Sequence, residues 1–205
     1  LGILIVWFTF GHYKFSRFSL GKVIPAAKWK AMTICTMPIL GFTMVFYSIM
    51  NLFHLDFLPK QMMEISYLGF LPYNIIGSFI SVYIFFGAIQ EELIRCGKKR
   101  WVQLLTLSIM MLPACMMSVT TNGDINVDLT VLGFISLCYC SWIYGKTRST
   151  IILIVLYFIS SLVPFHFESK VLGILLLIAG TALTIGGFAA LSRKLPEMLV
   201  KDEDE

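Results

Sequence analysis

Leu68–Gly97 reads LGFLPYNIIGSFISVYIFFGAIQEELIRCG. No charge occurs between Leu68 and Gln90. Two carboxylates, Glu91 and Glu92, then follow at once, with Arg95 a turn later and Lys98, Lys99 and Arg100 just beyond. At about 1.5 Å of rise per residue, the uncharged part is long enough to span a hydrocarbon layer about 30 Å thick. A helix at a soluble protein's surface would carry a polar face along such a run. The stretch therefore predicts a membrane-spanning helix that meets a polar interface at the glutamate pair.

The rest of the chain repeats this pattern. Further apolar runs cover Ala31–Phe53, Trp101–Val119, Leu129–Tyr144, Thr150–Phe165 and Val171–Leu191. Leu1–Gly11 reads as another span cut short at its start, without the basic n-region or small-residue cleavage site of a signal peptide. Hydrophobic residues make up 58% of the chain and charged residues 14%, with a mean hydropathy of +0.82. A soluble domain carries about 25% charge, and one of this size has no core able to receive so much apolar surface. The expected fold is all-α: a polytopic transmembrane helical bundle of about seven spans. It forms one membrane domain over residues 1–195, followed by an acidic tail, 196–205, that ends in KDEDE.

Charge distribution orients this bundle. Apart from Lys60 and Lys170, every Lys and Arg falls before the second run, between the third and fourth, between the fifth and sixth, or after the seventh. Seven crossings put all those segments on one side. The positive-inside rule then places the N-terminus outside and the C-terminus in the cytoplasm, an arrangement that suits a bacterial cytoplasmic membrane. The net charge of +4 is spread over short clusters at helix ends. Nucleic-acid binding would need a continuous basic face, so that class is excluded. Phe15–Trp29, which mixes aromatic and basic residues, reads either as an interfacial segment or as a plain connection.

Few residues invite chemistry. Glu91 and Arg95 are four apart and share a helical face, so an ion pair is expected there; Glu92 points about 100° away. The pair serves either as a structural anchor at the membrane boundary or as catalytic carboxylates. His12, His54 and His166 fall outside the predicted spans, and no metal-ligand spacing, P-loop, nucleotide fingerprint or serine elbow occurs. No metal and no cofactor is expected. The five cysteines lack zinc-site spacing and read as small core residues.

Glu91–Gly97, EELIRCG, resembles the first motif of the CAAX-processing and bacteriocin-processing family of intramembrane proteases. That motif is a glutamate pair, three residues, an arginine and usually a glycine. Glu91, Glu92 and Gly97 match in place; Arg95 comes one residue early, and Cys96 stands at the arginine position. Leu132–Leu162 resembles the family's late helical pair, with Tyr157 at the expected histidine and Ser161 at the expected asparagine. The middle motif, a phenylalanine with a histidine four residues later, has its counterpart near Ser108–Pro113, where no histidine occurs. The resemblance covers Phe79 to Leu162. It implies a CAAX-protease-like fold in which Glu91 and Glu92 remain of the hydrolytic site and the histidines do not.

The leading expectation is a non-catalytic, pseudoprotease-like membrane subunit that binds, scaffolds or regulates a membrane or envelope protein, with lipids as its other partner. Gly180, Gly186 and Gly187, within GTALTIGGFAA, offer a packing face for such a partner or for the chain's own helices. One alternative is a glutamate-dependent intramembrane endopeptidase using Glu91 and Glu92. Another is a small transporter or channel component, with Asn74, Ser78, Ser81 and Gln90 along one helix as a polar path.

Overall fold

A computed structural model of the chain describes residues 23–53, 75–119, 127–161 and 170–199. Its helices are α1 (Lys28–Leu52), α2 (Ile75–Arg95), α3 (Arg100–Val119), α4 (Val127–Thr147), α5 (Thr150–Ser161) and α6 (Lys170–Lys194). The first apolar run, Leu1–Gly11, lies outside the described residues, as do the three histidines and residues 200–205. By length and composition α1, α2 and α6 are apolar enough to cross a membrane, and α5 is a shorter apolar helix. The chain is a polytopic, all-α membrane-spanning protein.

α1 is the most buried of the three long apolar helices. Its buried residues, including Ala31, Cys35, Pro38, Ile39, Gly41 and Thr43, cover most of its circumference and leave a stripe through Thr33, Met37, Leu40 and Met44 less buried. It packs on α6 along its length and also touches α4 and α5. The α1–α6 contact is set by glycines. A Cβ at Gly41 would fall 2.6 Å from the Gly180 carbonyl oxygen, and one at Gly180 would fall 2.8 Å from that of Gly41. A Cβ at Gly187 would lie 2.8 Å from Cδ of Pro38. Side chains cannot enter these gaps, so the two backbones meet directly, the packing that drives helix association where lipid supplies no hydrophobic force. Pro38 also withholds the N–H that the Ile34 carbonyl would accept.

The α1–α6 pair runs antiparallel, since Gly187 meets Pro38 and Gly180 meets Gly41. The start of α1 therefore lies beside the end of α6. There Ile24 donates its N–H to the Met198 carbonyl at 3.1 Å, and Val23 bridges Leu199. Residues 196–198 wind a short 3₁₀ turn, so the chain stays packed beyond residue 195 before the described residues end.

Tyr139 of α4 donates its hydroxyl to the Cys35 carbonyl at 2.6 Å, which puts the end of α4 at the same level. The end of α2 joins the end of α4 through Glu91 and Tyr144. All described Lys and Arg residues except Lys170 thus gather at one end of the bundle. Phe86, Leu107, Ile143, Leu153 and Leu156 fill the core between α2, α3, α4 and α5.

α2 is not α-helical throughout. Val82–Gln90 is π-helical, with i→i+5 hydrogen bonding, a rare conformation found mostly as single turns and often at functional sites. The helix resumes α geometry at Glu91 and extends a turn beyond the expected end at Gln90. Gly97 stops it at φ +65°. Lys98 donates its N–H to the Leu93 carbonyl at 2.9 Å, and Gly97 donates to Ile94 at 3.0 Å. This is a Schellman closure, which glycine adopts without the Cβ penalty.

Candidate functional site

The glutamate pair comes to rest between the end of α2 and the corner joining α4 to α5. Glu91 is half-buried. Arg148 donates from Nη1 to Glu91 Oε2 at 2.7 Å, and the Tyr144 hydroxyl donates to the same oxygen at 3.0 Å. Arg95 Nε stands 3.8 Å from Oε1. Arg95 lies closer to Glu92, with Nη1 3.3 Å from Oε1. Of these three ion-pair contacts, the one between Glu91 and Arg95 is the longest. The two arginines divide the carboxylates, Arg148 with Glu91 and Arg95 with Glu92.

The corner that supplies Arg148 is built by its neighbours. Arg148 has φ 52°, a left-handed conformation that costs an ordinary residue about 1–2 kcal/mol. Thr147 Oγ1 donates to the Ile143 carbonyl at 2.9 Å and accepts from the Ser149 N–H at 3.3 Å. Ser149 Oγ accepts from the Ile152 N–H at 3.4 Å, the position of an N-cap. These bonds turn the chain sharply and direct the guanidinium to α2. The charge-assisted bond to Glu91 offsets the backbone cost.

A second polar layer lies behind the carboxylate. Gln90 Nε2 donates to the Ser141 carbonyl at 2.9 Å and to Gln103 Oε1 at 3.3 Å; Gln103 in turn donates to the Lys98 carbonyl at 2.8 Å. Gln90 is 1% exposed and Gln103 7%. One amide thus ties α2 to α3 and α4 at the depth of the glutamate pair. Gln90 Oε1, Arg148 Nε and Thr150 Oγ1 are buried and have no hydrogen-bond partner among the described residues. Thr150 packs near Gly87, where a Cβ would lie 3.6 Å from its Cγ2.

The remaining positions separate. Tyr157 packs edge-on against Phe86, with ring centroids 6.4 Å apart, and Phe86 also meets Tyr144 at 6.2 Å. The position expected to hold histidine therefore joins an aromatic stack that reaches the Glu91 ligand Tyr144. Cys96 is exposed on the turn after α2. Ser161 ends α5. Gly180 and Gly187 face α1, whereas Gly186 points to open space. Of the suggested polar path, Ser78 and Gln90 are buried, and Asn74 lies outside the described residues.

Arg148, Tyr144, Gln103 and Ser141 were not expected at the site. Arg148 is 57 residues from Glu91, and helical spacing carries no information over that separation. The one available signal was a basic residue flanked by Thr147 and Ser149 between two apolar runs. Among the described residues no three His, Cys, Asp or Glu side chains gather where they could hold a metal. No protein-family model, curated protein or solved structure matches the chain.

Proposed function

We propose that the protein is a non-catalytic membrane subunit, a divergent relative of the CAAX-processing protease family that holds or regulates another membrane or envelope protein. The observation that carries this reading is the tie of Glu91 Oε2 to Arg148 and Tyr144 across the α4–α5 corner. A general base needs a lone pair within reach of the proton it takes. Oε2 of Glu91 accepts from Arg148 and from Tyr144, which fills the two sites of that oxygen, and Arg95 stands 3.8 Å from Oε1, so two guanidinium groups hold the carboxylate in its charged, structural role. The same carboxylate joins α2 to the α4–α5 corner, as a structural anchor would. On this reading the basic end lies in the cytoplasm of a bacterial cell, and the partner binds within the bilayer or beside it.

Purification in mild detergent tests the proposal, comparing the wild type with a Glu91→Gln/Glu92→Gln variant. Co-purifying proteins and membrane-protein fragments are both identified by mass spectrometry. The proposal expects a stoichiometric partner and the same fragments from both proteins. Fragments that vanish in a folded variant would make the carboxylates catalytic and replace this reading with the endopeptidase.

A further inference from the structure

A groove of about 820 Å³ opens between α4 and α6 at the basic end of the bundle. That volume falls within the range of small-molecule sites, about 300–1,000 Å³. Its apolar wall is made by Tyr139, Trp142, Phe188 and Leu195, and Lys146 stands at its edge. Tyr139 forms a fixed floor. Its ring packs against Trp142 at 6.2 Å and edge-on to Phe188 at 6.0 Å, while its hydroxyl is bonded to the α1 backbone.

The geometry points to a binding site for one anionic phospholipid, its acyl chain along the Trp142–Phe188 wall and its phosphate at Lys146. Three observations meet here. The groove lies on a membrane-spanning chain, where the surrounding medium is lipid. It reaches the end of the bundle at which the basic residues collect, the level of the headgroups. Lys146 is exposed and has no carboxylate partner among the described residues. An apolar channel with one ammonium in its lining matches an amphiphile with a long chain and a negative head. Basic pockets between spanning helices take such headgroups, and Trp142 has the interfacial placement typical of its residue type.

Trp142 itself reports on the groove. With Trp7, Trp29 and Trp101 changed to Phe, the full chain is placed in phosphatidylcholine bilayers. These contain increasing amounts of brominated phosphatidylglycerol or brominated phosphatidylcholine. Brominated phosphatidylglycerol is expected to quench Trp142 at about fivefold lower mole fraction, the preference that one basic residue confers. Lys146→Gln should merge the two curves without moving the phosphatidylcholine one. Lys30→Gln, at the same end of the bundle but on α1, should keep them apart. Three results would overturn the site. The first is equal quenching by the two lipids. The second is a preference that survives Lys146→Gln or disappears equally with Lys30→Gln. The third is no quenching by either lipid, which would mean that protein covers the groove.

Discussion

Glu91 has more partners than its own helix can supply. Arg95 is the neighbour that helical spacing provides, yet the short contact comes from Arg148 across the α4–α5 corner. Both members of that pair are shielded, with side chains 22% and 24% exposed, so the interaction is worth more than an open surface pair. A double-mutant cycle with Glu91→Gln and Arg148→Gln, read by thermal unfolding in detergent, should give a coupling energy of about 1–3 kcal/mol. The same cycle on Glu92 and Arg95, which are more exposed, should give about 0.5 kcal/mol or less. Equal couplings would show that the corner is not the anchor. The sequence made the carboxylates visible because they interrupt an apolar run. It could not show their partner, because a guanidinium carried by a left-handed residue in a turn leaves no periodic trace.

At the scale of helices, the apolar runs located each described element, since hydrocarbon thickness sets a length that composition reveals directly. Less was legible inside α2. The π-helical run from Val82 to Gln90 has no signature in LGFLPYNIIGSFISVYIFFGAIQ, a stretch whose lack of charge marks a span but not a helix type. The glycines of α6 were visible as a group, but their division was not. Gly180 and Gly187 abut α1 and Gly186 does not, which one-turn differences in helix phase decide. Gly180→Leu and Gly187→Leu should each lower stability by about 1–3 kcal/mol or more through overpacking, and Gly186→Leu should leave the melting temperature unchanged. Thermal unfolding of the three variants in one detergent checks this; a Gly186→Leu variant as unstable as the others would count against the α1–α6 packing. Gly186 is also the position where a leucine would probe an external helix partner without disturbing the monomer.

For the whole molecule, the collection of basic residues at one end is a statement about orientation. Cys96 lies at that end and is exposed, whereas Cys35 and Cys140 are buried. In inverted membrane vesicles a membrane-impermeant maleimide should label Cys96, and in intact cells it should not. The measurement uses a variant in which the other four cysteines are replaced by Ala. Labelling from outside the cell would reverse the proposed topology.

The pairing of α1 with α6 has a consequence for biogenesis. Among the described helices α1 is made first, and α6, which fills its glycine notch, is made last. Until α6 arrives, the backbone at Pro38 and Gly41 faces lipid or a temporary neighbour. Among the described elements this sequence-distant contact thus forms last, and closing such a contact is slow. A ribosome paused before α6 would hold an unfinished protein with an open seam, which is the moment at which a membrane chaperone, or a quality-control protease, would have something to recognise.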